Sequence, residues 1–356
     1  MDDFQLYETV AKIKIIGVGG AGNNAVNCMV EDQVIGCEFY VMNTDAQVLS
    51  CSKANNRIIL GKKTTKGLGA GANPSIGKEA AIESENEIRE VVKDTDMVFV
   101  AAGMGGGTGT GAAPIVAKIA KEEGALVVGI VTRPFTFEGK TRMNNAILGI
   151  EEIKKYVDTL IIISNDRILQ LIGNLPLRQS FKEADNVLRK SVQAITDLIA
   201  LPALINLDFA DVKTLLNNKG AAMIGFGVGN GDNRAQEAAA KAITSPLLEH
   251  SINGAKSAII AITGGQNSTL YDFTDAVDYI RNAAGNDINI IFGASINENL
   301  EDEIQVTVIA TDFDDDITES QFKPIDITFK RKPVGEQNDE KKDDKEDKND
   351  LKPSFF

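Results

Sequence analysis

Apolar and polar positions along the chain change rhythm twice. Over the first half, short uninterrupted apolar runs at residues 12–19, 37–45, 57–61, 96–103, 125–134 and 159–165 alternate with stretches of helical period, such as 23–30, 74–92 and 112–122. Strands buried on both faces read as continuous apolar runs. Their alternation with helices predicts an α/β fold, a doubly wound, mainly parallel sheet with helices on both faces. Asn73 followed by Pro74 predicts a helix start, as N-cap and first helical residue. From Leu177 to Leu201, Phe181, Ala184, Leu188, Val192, Ile195 and Ile199 recur at steps of three or four. That spacing predicts a long central helix with a buried face, ended by Pro202. Beyond it the texture changes. Glycine-rich apolar runs at 221–229, 258–264, 289–295 and 305–311, separated in places by helical stretches at 234–243 and 270–284, predict a second, smaller α/β domain with a mixed sheet.

After about residue 330 the pattern dissolves into VGEQNDEKKDDKEDKND. No aliphatic or aromatic residue lies between Val334 and Leu351, which predicts a disordered C-terminal tail. The chain then ends on the apolar DLKPSFF. Two readings of that ending stand side by side, a docking peptide on a flexible tether and a random terminus. No internal repeat is visible.

Composition narrows the chemistry. With 43% hydrophobic and 25% charged residues, the 356-residue chain has the profile of a soluble globular protein of two domains. No apolar run approaches the roughly 20 residues that span a bilayer. The acidic start MDDFQLYETV lacks the order of a signal peptide, so a cytoplasmic location is expected. Cys28, Cys37 and Cys51 have no metal spacing and read as reduced thiols. The lone histidine, His250, has no partner in view, which argues against Ser-His-Asp, Cys-His and His-based metal chemistry. The net charge of −14 disfavours nucleic acid and anionic membranes as partners. Phosphate-bearing ligands must then be held by backbone N–H groups, a few local bases and a cation.

The segments just after the strand-like runs carry the chemistry: GVGGAGNN, NTD, GMGGGTGTG, TRPFTFEGK and SND. Glycines, amides and carboxylates thus collect at the carboxyl ends of parallel strands, where open α/β sheets bind ligands. The first loop, from Gly17 to Gly22, lets the backbone approach an anion at a helix N-terminus. It also fits a dinucleotide fingerprint, with Asp45 as the ribose acid. The second loop, from Gly105 to Gly111, offers a nest of N–H donors and the hydroxyls of Thr108 and Thr110. A flexible linker would not sit between a buried strand and an apolar helix. A dinucleotide enzyme has no use for a second anion cradle on the same edge, whereas a triphosphate does. The motif G-x-x-x-x-G-K-[ST] is absent, which excludes a P-loop NTPase.

GGGTGTG resembles the signature of the tubulin/FtsZ family. GVGGAGNNAVN, NTDAQ, GAGANPSIGKEAA, GIVTRPFTFEGKTR, NLDFADV and GAAMIGFGVG resemble the same family, in the same order, over nearly all of the chain from residue 11 to about 315. The resemblance implies a GTPase that assembles head to tail into the filaments of the cytokinetic Z ring of bacterial cell division. It implies that Gly19, Gly20, Ala21, Gly22, Asn23 and Asn24 wrap the inner phosphates. Gly103, Gly105, Gly106, Gly107, Thr108 and Gly109 would hold the outer ones with Mg²⁺, and K⁺ is a further candidate ion. Ala70, Gly71, Ala72 and Asn73 would sense the γ-phosphate, and Asn43, Thr44 and Asp45 would line the metal side. Thr132, Pro134, Glu138 and Arg142 would meet the sugar, and Asn165, Phe181 and Asp185 the guanine. Phe181 and Asp185 lie i, i+4 on one helix face, so a ring can stack on a base while a carboxylate accepts from its edge. Without the rest of the set they read as a core ring beside a surface acid.

Asn206, Asp208 and Asp211 read locally as a solvated helix start with Asn206 or Asp208 as N-cap. The resemblance instead makes them the catalytic group donated to the next subunit's nucleotide. The implied organisation is an extension over 1–11, a GTP-binding domain over 12–176, a central helix over 177–202, a GTPase-activating domain over 203–318, a linker over 319–349 and a partner peptide from Asp350 to Phe356. That peptide resembles the family's docking tail, with a lysine inserted before Pro353, and implies a membrane tether such as an FtsA-like protein. The readings to be separated are a polymerising GTPase, an NAD-binding oxidoreductase and a non-catalytic scaffold.

Overall fold

The computed structural model of the chain describes residues 11–172, 176–200, 203–205, 207–248, 252–285 and 288–313. Six parallel strands come first: β1 (Ile13–Val18), β2 (Glu38–Asn43), β3 (Asn56–Ile59), β4 (Met97–Gly103), β5 (Leu126–Arg133) and β6 (Thr159–Ser164). Each falls within or beside an apolar run of the sequence. β5 and β6 are buried along their whole length, and the edge strand β3 is not. The helices are α1 (Gly19–Glu31), α2 (Ala46–Ser50), α3 (Pro74–Glu83), α4 (Glu85–Val92), α5 (Thr108–Glu122), α6 (Lys140–Ile153), α7 (Asn165–Ile172) and the long α8 (Leu177–Ala200). The second part holds α9 (Phe209–Leu216), β7 (Gly220–Gly229), α10 (Arg234–Ile243), β8 (Ser257–Gly264), α11 (Leu270–Ala284), β9 (Asn289–Ile296) and β10 (Ile304–Thr311).

The strand order is β3-β2-β1-β4-β5-β6-β7-β10-β8-β9. In its first six strands the chain winds outward from β1 in one direction and from β4 in the other. The switch point between β1 and β4 opens a crevice at their carboxyl ends, and the two glycine-rich loops leave those two strands there. The four strands expected in the second part are all present, and the mixed sheet is there: β10 runs antiparallel to β7 and β8, while β9 is parallel to β8. This sheet is not detached from the first. β7 gives Gly220, Ala221 and Ala222 to β6 and Met223 to Gly229 to β10, so one strand belongs to both.

One apolar layer packs α1 and α8 against the first sheet. It continues through Leu188, Val192, Ile195 and Leu198 of α8 to Ile259 and Ile309 of the second part. The opposite face of the first sheet packs on α3, α4, α5 and α6, and a third cluster lies under α10 and α11. Three helix boundaries differ from the periodicity. The stretch 74–92 breaks at Ser84, whose hydroxyl accepts the Gly61 N–H at 3.0 Å and draws the backbone out of helical register. Helices α1 and α5 start at Gly19 and Thr108, four residues before the apolar period begins, because the glycine loops themselves form the first helical turns. No described helix is long and apolar enough to cross a membrane.

Candidate functional site

Contacts around the glycines show how tightly the loop segments converge. A Cβ on Gly19 would lie 2.7 Å from the amide nitrogen of Gly109, so the starts of α1 and α5 touch. A Cβ on Gly107 would lie 2.8 Å from the Ala70 Cβ and 2.9 Å from the amide nitrogen of Asn73, which brings in the start of α3. Gly103 stands against Ala21 and Thr132, and Gly105 against Pro134 and the Arg142 carbonyl. Thr44 and Thr108 share a 2.6 Å hydroxyl–hydroxyl bond. The Asn43 amide donates to Asn23 Oδ1 at 2.8 Å. Three helix N-termini thus meet on one edge. Asn73 caps α3 by accepting the Ser75 N–H, but no side chain caps α1 or α5. Their first-turn N–H groups keep the positive end of each dipole directed out of the protein.

Most loop glycines are explained by packing: a Cβ on Gly22 would meet the Ala101 carbonyl at 2.2 Å, and one on Gly17 the Gly22 carbonyl at 2.3 Å. Gly20 and Gly106 are not. Neither has positive φ, and a Cβ on either would meet nothing within 4 Å. Bare backbone facing open space at two points of the cradle fits a ligand that approaches the main chain closely. Buried polar atoms point the same way: Asn23 Nδ2 and Asn165 Oδ1 have no partner within the protein. The segment from Ala70 to Ala72 leads into α3, with Ala72 held at φ 58°, a strained value for alanine. Asn24 is exposed beside this edge on α1.

The segment after β5 builds the next part of the edge. Glu138 accepts the Phe135 N–H at 2.9 Å through Oε1 and pairs with Arg142 through Oε2. Phe135 is buried, stacked on Phe137 and edge-on to Phe181 with ring centroids 5.2 Å apart. Phe181 is 41% exposed, and Asp185 one turn later is half-buried. The local reading of these two is therefore inverted: the ring is offered to solvent and the acid is withdrawn from it. Burial pushes the Asp185 carboxyl up to about 7.

Some expectations change. Thr110 does not face a ligand; its buried hydroxyl accepts the Gly105 N–H at 2.8 Å, so one amide of the expected nest is spent inside the protein. Asp45 has one of its two oxygens engaged locally. Its Oδ1 caps α2, accepting the N–H groups of Gln47 and Val48. Two residues of this edge escape sequence reasoning, Thr65 and Asp166. Thr65 ties the 44 and 61–69 segments together through the Thr44 carbonyl, and Asp166 bonds Thr136. The SND after β6 is the only sign of the second.

Asp208 and Asp211 do not join this cluster. Helix α8 has 24 residues, about 36 Å in all, and carries the chain about 28 Å from Phe181 beside the glycine edge to Ala200. There a Cβ on Gly36, just before β2, would lie 2.1 Å from the Ala200 Cβ. α9 ends with Leu216 bonded to Thr159, and Lys219 N–H bonds the Asp158 carbonyl, both at the start of β6. The segment that carries the acids is therefore anchored before and after them at the amino edge of the first sheet. Both are exposed, and Asp208 occupies the N-cap position of α9 without its side chain capping it. Asn206 and His250 lie outside the described residues, as do the extension at 1–10 and the chain after 313. Among the described residues no group of three or more His, Cys, Asp or Glu could hold a metal by itself.

Residues 12–173 match the family model of the tubulin/FtsZ GTPase domain, and residues 220–314 that of the FtsZ C-terminal domain. An empty FtsZ dimer from M. jannaschii is 46% identical, with a TM-score of 0.83 over 86% of this chain and 89% of its own. The chain belongs to the tubulin/FtsZ family. A point mutant of the same M. jannaschii FtsZ matches equally, over 92% of its length. A GDP-bound CetZ1 monomer from Haloferax volcanii shares the fold at 21% identity, with a TM-score of 0.75 over 87% of this chain and 97% of its own. As a tubulin/FtsZ-family protein the chain is a GTPase, and the glycine edge is part of its GTPase domain.

Proposed function

We propose that this GTPase hydrolyses GTP only when subunits stack head to tail, and that the resulting filaments form a cytokinetic ring in the cytoplasm. The observation that carries the proposal is the separation of two incomplete halves. The glycine edge gathers the bare N–H groups of an anion cradle, and the exposed Asp208 and Asp211 stand apart from it, beyond the far end of α8. A heterologous contact that joins unlike faces leaves both ends open and generates filaments. The M. jannaschii relative described as a dimer supports self-association.

In this reading the amides of Gly20, Ala21, Gly22 and Asn23, with Asn24 beside them, hold the inner phosphates. Gly106, Gly107, Thr108 and Gly109 hold the outer ones, Ala70 to Asn73 close over the γ-phosphate, and Gly103 and Gly105 shape the turn. Thr44 and Thr108 stand where Mg²⁺ would neutralise phosphate charge, with Asn43 and Asp45 fixing Thr44. Glu138 and Arg142 meet the ribose beside Thr132 and Pro134. Phe181 stacks on guanine while Asp185 and Asn165 read its edge. The docking subunit's Asp208 and Asp211, with Asn206, orient the attacking water. Phosphoryl transfer depends chiefly on positioning and charge neutralisation, so bringing these acids in completes the site. The terminal peptide from Asp350 to Phe356 serves a membrane tether of the FtsA type. The NAD-binding alternative leaves the second glycine loop without a role, and one oxygen of its ribose acid Asp45 is already used to cap α2.

The test is phosphate release against protein concentration, with sedimentation alongside. Turnover per subunit should rise steeply as filaments form. Asp211→Ala should bind GTP and sediment, yet lose at least about a hundredfold in turnover, the scale of removing a group that acts in the transition state. A rate per subunit that stays flat with concentration would refute the proposal.

A further inference from the structure

We infer that Asp166 is a positioning residue for the sugar-binding carboxylate Glu138; the inference rests on the ribose assignment made above. The loop after β5 has little of its own to hold it. It makes one short 3-10 turn, Thr136–Glu138, between buried Phe135 and Gly139 at φ 100°. Phe137 within it is 64% exposed, so apolar packing fixes only one end of the turn. Asp166, in the first turn of α7, reaches across from the neighbouring strand's connection and grips the turn. Its Oδ1 accepts the Thr136 N–H at 3.0 Å and its Oδ2 accepts the Thr136 hydroxyl at 2.5 Å. Asp166 is only 7% exposed while Thr136 is exposed, so these bonds are shielded from water on the Asp166 side.

Both donors of one residue are thereby captured by both oxygens of another. This fixes the turn in position and in rotation about its own axis. Two residues on, Glu138 bonds Phe135 and Arg142, and Phe135 presents its ring to the edge of Phe181. A carboxylate suits this post better than an amide. An asparagine could keep both contacts only by turning the Thr136 hydroxyl from donor to acceptor, and it would lose the charge that strengthens both bonds. Asp166 itself comes directly after Asn165 in the chain and touches the nucleotide at no point of the proposed site. Its effect should therefore be confined to the sugar end, leaving the phosphate cradle as it was.

Binding of GTP and of dideoxy-GTP, which lacks the ribose hydroxyls, tests this on the full-length protein. Wild type should prefer GTP. In Asp166→Asn, GTP affinity should fall at least about tenfold, the loss expected for a weakened charge-assisted bond. Affinity for dideoxy-GTP should hardly change, so the preference collapses. KM should rise while kcat at saturating GTP stays within about twofold. Thr136→Val should reproduce the effect and carries the test should Asp166→Asn fail to fold. Thr136→Ser, which keeps the hydroxyl, should behave as wild type. If wild type prefers GTP and both Asp166→Asn and Thr136→Val keep that preference in full, the inference is overturned and the ribose assignment stands. If wild type shows no preference and Glu138→Gln binds normally, the ribose assignment and the inference fall together.

Discussion

At the scale of single residues, glycines that look alike in the sequence do two different jobs. Gly22 is closed in by the Ala101 carbonyl, so a methyl group there must push β4 and α1 apart. Gly20 faces open space in the first turn of α1 at negative φ, where alanine is the better helix former. Gly22→Ala should therefore lower the melting temperature by several degrees, with an overpacking cost of about 1–3 kcal/mol. Gly20→Ala should melt at or slightly above the wild-type temperature, yet bind GTP at least about tenfold more weakly, because its methyl group occupies ligand space. Melting curves and nucleotide titrations on the two variants separate these roles. A destabilised Gly20→Ala that still binds GTP would place the ligand elsewhere.

At the scale of elements, α8 is a core helix whose first turns leave the core. Leu188, Val192, Ile195 and Leu198 are buried between the two parts of the sheet, while Phe181 and Asp185 sit at the glycine edge. Desolvation raises the Asp185 carboxyl from 3.8 to about 7 in the protein without nucleotide. In the proposed reading Asp185 accepts from guanine N–H groups, which need the ionised form, so binding should release a proton as pH falls toward and below about 7. GTP affinity should then drop by up to about tenfold per pH unit, and calorimetry in buffers of different ionisation heat reads the proton directly. The same shift sets the sign for folding. Below about 4 both states hold the proton and nothing is lost. Between about 4 and 7 only the folded state holds it, so stability falls as pH rises, and above 7 the full cost persists. Asp185→Asn should thus stabilise the nucleotide-free protein at pH 8 and not at pH 4, and should flatten the pH dependence of GTP binding. Melting temperatures that shift equally at both pH values would contradict this account.

At the scale of the whole molecule, α8 acts as a strut about 36 Å long that sets the cradle and the acids at opposite ends. In the proposed reading, function belongs to the contact between copies rather than to either copy. Mixing two crippled proteins makes this visible. Asp211→Ala subunits keep the cradle and lose the acid, and Gly106→Val subunits keep the acids and fill the cradle. Each alone should be nearly inactive. Together they should release phosphate well above the sum of the two, because an intact cradle meets an intact acid at one of the two kinds of mixed junction. A mixture no faster than its parts would mean that one chain completes its own site.

What the sequence determined by itself are features written into neighbouring residues. Strands buried on both faces must be continuous apolar runs, so β1, β4, β5 and β6 are legible, and so is the three-to-four spacing of α8. The glycine loops are legible because the backbone there must be bare over several consecutive positions. Family resemblance added the acids of α9. Only the tertiary structure decided how segments far apart in the chain meet. Thr44 bonds Thr108 across 64 residues, and Asp166 bonds Thr136 across 30. It also turned Thr110 inward, gave Asp45 to a helix cap, drew β7 into both sheets and inverted the exposure of Phe181 and Asp185. Local periodicity encodes which face of an element is apolar. It does not encode which donor will find which acceptor, because that pairing is fixed by the packing of whole elements, and a buried polar group takes whatever partner the packing supplies.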